Sequence, residues 1–197
     1  MHKVFNFKSY EDYLRSQWQH AKTQFRTVER KENRSSDIST IKETFPNAKK
    51  IICIGARDKS EVISFRQSGF EAIGIDVFSN SEEIKLVDMH RLSTTFEENY
   101  FDVAYMSHSF EHSVDPKAVL EGVMKVCKMG CMIILPIMQD VDEKDPTLFE
   151  FMKKEEATLE EAKRDLSDLM MTDVNISNFF YRKHKKTLES VVCIKFS

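Results

Sequence analysis

Residues 99–137 read NYFDVAYMSHSFEHSVDPKAVLEGVMKVCKMGCMIILPI. Phe101 to Met106 is an apolar run of strand length. Asp115-Pro116 opens a helix, with Asp as N-cap and Pro in the first turn. The helix is expected to run to about Lys128 and to stop at Gly130. Cys131 to Pro136 is a second buried strand. A strand, a helix and a strand in this order make a crossover unit, which joins parallel strands.

The same alternation continues on both sides. Upstream lie the strands Lys50 to Ile54, Phe70 to Ile75 and Ile84 to Val87. A helix from Asp58 to Gln67, closed by Gly69, joins the first two. Downstream, a polar loop (Gln139 to Pro146) precedes a helix from about Thr147 to Met170. Two terminal runs, about Ile176 to Arg182 and Ser190 to Phe196, are joined by RKHKKT and read as an antiparallel hairpin. Before the first strand, Tyr10, Tyr13, Leu14, Trp18, Ala21, Phe25 and Val28 recur at helical steps over residues 8–32. A short helix from Ile38 to Thr44 follows. The expected architecture is one α/β domain over 1–197, a doubly wound, mainly parallel sheet. Residues 1–48 form a helical extension or lid and residues 49–197 the core.

Composition bounds the class. The chain has 197 residues, 41% of them apolar, which excludes a disordered protein. Five Gly and four Pro exclude collagen-like and low-complexity chains. The longest apolar run, Cys131 to Met138, is far short of the ~20 residues of a membrane-spanning helix. The start, MHKVFNFKSYEDYL, carries no apolar leader pattern. Cys53, Cys127, Cys131 and Cys193 sit in or beside apolar stretches with no zinc-type spacing. They are expected to be reduced, buried thiols of a cytoplasmic protein. Lys and Arg outnumber acids 11 to 6 in residues 1–50, whereas acids lead 26 to 18 afterwards. The basic segment is either a solvated helix face or an arm for an anionic substrate.

In open α/β sheets, ligands bind beyond the carboxyl ends of the strands, where strand order reverses. The residues to read are therefore Gly55-Ala56-Arg57-Asp58, Asp76-Val77, Asp88-Met89-His90 and Ser107 to His112. Gly55 permits a sharp turn, and the next helix offers free N–H groups. Asp76 lies 21 residues after Gly55, where a carboxylate grips a ribose diol. Asp88 could accept from an adenine amino group, with Met89 against the ring. Each of these acids could equally be a turn or cap residue.

The stretches KKIICIGARDKSEV, GFEAIGIDV, LVDMHRLS and NYFDVAYMSHSFEH…MIILPI together resemble class I S-adenosylmethionine-dependent methyltransferases of the small stand-alone type, over about residues 49–137. The resemblance implies a seven-stranded Rossmann-like sheet whose last strand inserts antiparallel. It also implies that Gly55, Ala56 and Arg57 approach the methionine part of the cofactor, that Asp76 takes the ribose hydroxyls with Val77 also in the cofactor site, and that Asp88 and Met89 take the adenine. Ser107 would line the floor of the transfer site. The first loop of that family is usually acidic-x-Gly-x-Gly-x-Gly. Here Cys53 replaces the acid, and Arg57 and Lys59 stand at the later glycine positions. A side chain at 57 narrows the space unless it swings out or pairs with the cofactor carboxylate.

Methyl transfer from a sulfonium needs mainly alignment, and a base only where the acceptor carries a proton. His108 and His112, four apart after the fourth strand, are the candidate bases. His112 could instead hold the loop before Asp115. Glu111 could orient either ring or the cofactor amino group. Glu111, His112 and His90 match no known metal signature. Walls for an acceptor are the first helix (Tyr10, Tyr13, Trp18, Phe25), the acidic loop 140–145 and the helix 149–170. The Trp18–Phe25 stripe reads as core, and RKHKK at 182–186 reads as a wet hairpin tip.

The expected function is transfer of a methyl group from S-adenosylmethionine to O or N of a small polar molecule. Alternatives are a catalytically silent scaffold, motivated by the depleted glycine loop, and a nucleic-acid methyltransferase. The latter is disfavoured by the missing Asn/Asp-Pro-Pro-aromatic and Pro-Cys motifs and the lack of a basic stripe with interleaved aromatics. A nicotinamide enzyme would need Gly-x-Gly-x-x-Gly, which GARDKS lacks. No membrane partner is expected, and Trp18 with the C-terminal helix could form a homodimer surface.

Overall fold

The computed structural model describes residues 9–24, 34–137, 157–184 and 187–196. Seven strands form one sheet: β1 (Lys50–Ile54), β2 (Glu71–Asp76), β3 (Ile84–Leu86), β4 (Phe101–Ser107), β5 (Cys127–Pro136), β6 (Ile176–His184) and β7 (Thr187–Lys195). Their order is β3-β2-β1-β4-β5-β7-β6. The first five run parallel, and β7 inserts antiparallel between β5 and β6. Parallel strands are buried on both faces, so β1 reads KIICI and β4 is apolar at most positions, with all of β4 buried.

One face packs on α4 (Leu92–Thr95), α5 (Pro116–Val126) and α6 (Leu159–Met170), around Ile52, Ile54, Ala104, Met106, Val119, Val123 and Leu166. The other packs on α2 (Ser35–Thr44) and α3 (Ser60–Gln67), around Ile41, Phe45, Phe65, Val103 and Tyr105. Each large apolar side chain so buried contributes about 1.5–3 kcal/mol. The expected layers are therefore present, with α1 (Tyr10–Gln24) preceding them. All four cysteines are buried free thiols. Among the described residues no helix is long and apolar enough to cross a membrane.

Local boundaries differ from expectation, each with a physical reason. The helix expected from Thr147 begins, within the described part, at Leu159. There the Thr158 side chain accepts from the Glu161 N–H and Glu161 reaches back to the Thr158 N–H, a capping box. The acidic loop, Phe149 and Phe25 lie outside the described residues. Gly130 does not stop α5, which ends at Val126. Cys127 already pairs with Phe101, and the register slips before Val103 meets Gly130. Gly130 instead has φ +153°, and a Cβ on it would overlap the Ile194 carbonyl of β7. Glycine is thus what lets β7 lie alongside the bulge. Trp18 is no core residue; it is 43% exposed.

The Phe-Asp opening of β4 is structural. Asp102 Oδ2 accepts from the N–H groups of Lys49 and Lys50 at 2.7 and 2.8 Å, which fixes the start of β1. Burial opposes its charge, but those two bonds and Lys128 hold its carboxyl below the ordinary range.

Two predictions follow from this packing. Gly69→Ala, at φ +94° with open space around it, should cost about 1 kcal/mol of backbone strain, whereas Gly130→Ala meets an immovable carbonyl and should cost about 3 kcal/mol or more in chemical denaturation. Asp102→Ala strands two strand-opening N–H groups and should cost about 2 kcal/mol at neutral pH. A depressed carboxyl stabilises the fold above its unfolded pKa and loses that share as pH falls. The gap between the two proteins should therefore narrow below about pH 4.

Candidate functional site

Strand order reverses between β1 and β4, so a crevice opens beyond Ile54 and Ser107. Gly55 leaves β1 with φ +74°, and its N–H and that of Ala56 both bond Ile75 O, at 2.8 and 3.0 Å. A Cβ at Gly55 would overlap Ser109, whose hydroxyl donates to Ile54 O at 2.7 Å. The next turn is tight: the Asp58 N–H bonds back to Ala56 O across Arg57. Arg57 has φ +45°, so it keeps the left-handed backbone that glycine would take there. Two bonds support that strained turn. The Arg57 N–H donates to Asp76 Oδ2 at 3.1 Å, and Ser79 Oγ donates to Arg57 O at 2.6 Å.

Asp76 ends β2 facing this turn. Its Oδ1 accepts from Phe78 N at 2.9 Å, and the Val77 amide also points toward the carboxylate. Burial still outweighs these bonds and the nearby Arg57 charge, and pushes the carboxyl up. A carboxylate in that condition gains from further O–H donors.

Asp88 caps the 3-10 turn at Met89–Arg91. Its Oδ1 accepts from His90 N at 2.9 Å and meets His90 Nδ1 at 2.7 Å. Burial raises its pKa less than these bonds lower it, so it sits below the ordinary range. Both bonds fall on one oxygen, leaving Oδ2 for another donor. Met89 is 9% exposed and belongs to the core under the site. Tyr10 and Tyr13 of α1 stack edgewise on the His90 ring, at 6.2 and 5.8 Å. Burial and Asp76 push the Tyr13 phenol up to about 12, which places α1 against the carboxyl ends of β2 and β3.

His90 also ties down the segment before Asp115. Its Nε2 lies 2.9 Å from Ser113 Oγ and accepts from Asp115 N at 3.4 Å. His112 lies half-buried on the 3-10 turn Phe110–His112, its N–H bonded to Ser109 O at 3.1 Å. Among the described residues no cluster of His, Cys, Asp or Glu suits a metal ion, so Glu111, His112 and His90 do not converge.

A buried polar chain crosses beneath the crevice, and sequence reasoning missed most of it. Arg34, just before α2, donates to Tyr105 Oη at 2.8 Å, Ser107 Oγ at 3.0 Å and Glu61 Oε1 at 2.8 Å. Tyr105 donates to Asp37 Oδ2 at 2.5 Å. Asp37 is ion-paired with Arg182 of β6, whose Nε donates to Glu189 Oε2 of β7 at 2.8 Å. Glu189 Oε1 meets His108 Nε2 at 2.6 Å. The Ser107 hydroxyl, at the end of β4, is thus bonded to Arg34. The basic charge at Arg34 is spent internally, and Arg182 points inward rather than sitting at a wet hairpin tip. Arg182 and Glu189 face each other across the β6–β7 pair. Only a distant hairpin partner reveals their role, so no local pattern could have found them.

His108 has φ +53° and a side chain 39% exposed. Its Nδ1 faces Glu111 Oε1 at 3.9 Å, beyond hydrogen-bond distance. Burial lowers the imidazole pKa less than the Glu189 bond and Glu111 raise it, so the ring titrates above its ordinary value. Burial pushes the Glu111 carboxyl up to about 7, and its Oε2 is buried without a partner. Burial opposes the Glu189 charge, yet the His108 and Arg182 bonds bring its pKa down to about 2.

A family model described as a methyltransferase domain matches residues 13–155. No curated protein sequence matches the chain. Among solved structures, the chain is similar to the 1,6-didemethyltoxoflavin-N1-methyltransferase of Burkholderia thailandensis, solved with 1,6-didemethyltoxoflavin and S-adenosylhomocysteine. Identity is 14%, coverage 95% of this chain and 89% of that one, and the TM-score 0.66. It is similar to the magnesium protoporphyrin IX methyltransferase of Synechocystis with bound SAM, at 10% identity, 94% coverage of both chains and a TM-score of 0.60. A SAM-dependent methyltransferase of Archaeoglobus fulgidus matches at 15% identity, over 83% of this chain and 95% of that one, with a TM-score of 0.55. The family model spans most of this chain, and the sheet is the one these enzymes share. The chain therefore belongs to the methyltransferase-domain family, and its fold is the class I fold of S-adenosylmethionine-dependent methyltransferases.

Proposed function

We propose that this protein transfers a methyl group from S-adenosylmethionine to an oxygen or nitrogen of a small polar molecule. The observation that carries the reading is the crevice between β1 and β4, with a left-handed turn at Gly55 and Arg57 and the carboxylate of Asp76 beside it. The residues fit the cofactor on structural grounds. Arg57 preserves the glycine-type backbone, Asp76 lacks enough donors for its burial, and Asp88 keeps one carboxylate oxygen free of its cap bonds. Asp76 and Val77 would hold the ribose, Asp88 and Met89 the adenine, and Gly55 to Arg57 with Ser107 the methionine end. S-adenosylmethionine supplies an already activated methyl group.

The chain's own residues then do three things. The strand ends align donor and acceptor, which supplies most of the rate. The first helix, through Tyr10 and Tyr13 stacked on His90, covers the adenine end. His108, Glu111 and His112 stand where an acceptor proton must be removed. His108 suits this best, because its Nδ1 makes no hydrogen bond among the described residues. A small-molecule acceptor accords with two enzymes of similar fold, the 1,6-didemethyltoxoflavin-N1-methyltransferase and the magnesium protoporphyrin IX methyltransferase.

Titration calorimetry with S-adenosylmethionine and S-adenosylhomocysteine tests the cofactor site. Wild type should bind, and Asp76→Ala, which loses both diol hydrogen bonds, should raise Kd at least ~10-fold. Absence of binding by the wild type would sink the proposal. For turnover, methyl-labelled S-adenosylmethionine is offered with a panel of phenols, polyols and aromatic N–H heterocycles. His108→Gln should cut kcat about 100-fold or more while cofactor binding stays unchanged. Failure of every panel compound to be methylated by the wild type counts against the function as stated.

A further inference from the structure

We propose that Glu189, fixed by Arg182, is the positioning residue for His108: it holds Nε2–H and leaves the Nδ1 lone pair to take a proton from a protic O–H or neutral N–H acceptor. This inference rests on the methyl-transfer reading above and deepens it.

The geometry is directional. Glu189 Oε1 lies 2.6 Å from His108 Nε2, and a carboxylate only accepts, so Nε2 carries the proton. The neutral ring is therefore the tautomer whose lone pair lies on Nδ1. The second Glu189 oxygen is taken by Arg182 Nε at 2.8 Å, and Arg182 is in turn ion-paired with Asp37 of α2. The carboxylate cannot rotate away without breaking a buried ion pair, and its side chain is only 3% exposed. His108 itself is held in a left-handed backbone conformation at φ +53°, which sends its side chain off the β4 ladder toward β7.

Charge balance gives the arrangement a purpose. Arg34 and Arg182 face Asp37, Glu61 and Glu189 in one connected set. The member of that set nearest the imidazole is a carboxylate, Glu189, at 2.6 Å from Nε2. Glu111, on the turn after β4, faces the ring from the opposite side, and Arg34 opposes the ring's charge from further off. An imidazolium formed during reaction is thus compensated where it forms. The step balances as follows. The acceptor X–H bond breaks, its electron pair forms the bond to the methyl carbon, the C–S pair leaves on sulfur, and the proton ends on His108 Nδ1. An acceptor without such a proton makes no use of the arrangement.

Ring ¹H–¹⁵N correlation spectra recorded across pH test the proposal on the full chain, with His108 identified by its loss in His108→Gln. Wild type should show the neutral Nε2–H tautomer and a midpoint above that of a free imidazole. In Glu189→Gln the midpoint should move to lower pH and the tautomer preference should weaken. Glu189→Asp, which keeps the charge but shortens the reach, serves if the Gln variant fails to fold, and should move both in the same direction. On whichever panel compound is methylated, the rising limb of kcat against pH should move down with the ring midpoint, kcat should fall, and S-adenosylhomocysteine affinity should stay constant. An unmoved midpoint and tautomer in folded, cofactor-binding variants overturns the inference and leaves the methyl-transfer reading intact. Ring shifts as expected in a wild-type protein that binds no cofactor would instead overturn that reading.

Discussion

The buried chain from Arg34 through Asp37 and Arg182 to Glu189 is the constraint on which the site depends. It ties α2 to the terminal hairpin across the floor of the crevice, through Tyr105 at its centre. Removing one member strands a charge in a poorly hydrated interior, a loss of about 3–5 kcal/mol in comparable pairs. Links between α2, β4, β6 and β7 offset the cost of burying these charges. The same links fix the sideways position of the His108 ring and the Ser107 hydroxyl at the end of β4. Stability and site geometry are therefore held by one set of side chains.

The glycine-poor loop shows how a fold keeps a conformation after losing the residue that makes it easy. Arg57 adopts a backbone that costs about 1–2 kcal/mol for a side-chain-bearing residue. Asp76 and Ser79 each take one of its main-chain groups and hold it there. Asp76 thus both shapes the turn and faces the crevice. Burial keeps its carboxyl raised, so a hydroxyl-bearing ligand has something to add.

Histidines divide the labour in a way their spacing hides. His90 is wired on both nitrogens, to Asp88 and to Ser113, and carries the aromatic pair of α1. Among the described residues, His108 is hydrogen-bonded on one nitrogen only. His112, four residues on, sits half-buried on the 3-10 turn Phe110–His112. A ring held at both ends is a support, whereas a ring held at one end has a lone pair to use.

The layering, the succession of strands and helices along the chain and the identity of the strand-end residues were legible in the sequence. Those follow from local rules: buried parallel strands are apolar throughout, Asp115-Pro116 caps a helix, and Gly55 turns sharply off β1. The antiparallel insertion of the last strand came from family resemblance, and the sheet order confirms it. It took the assembled fold to show that Gly130 serves a bulge rather than a helix end, that Trp18 is exposed, and that His90 bonds the segment before Asp115. Arg34, Asp37, Arg182 and Glu189 were invisible beforehand for one reason. Their partners lie up to 145 residues apart in the chain, and a charged residue reads as surface until the fold supplies its counter-charge.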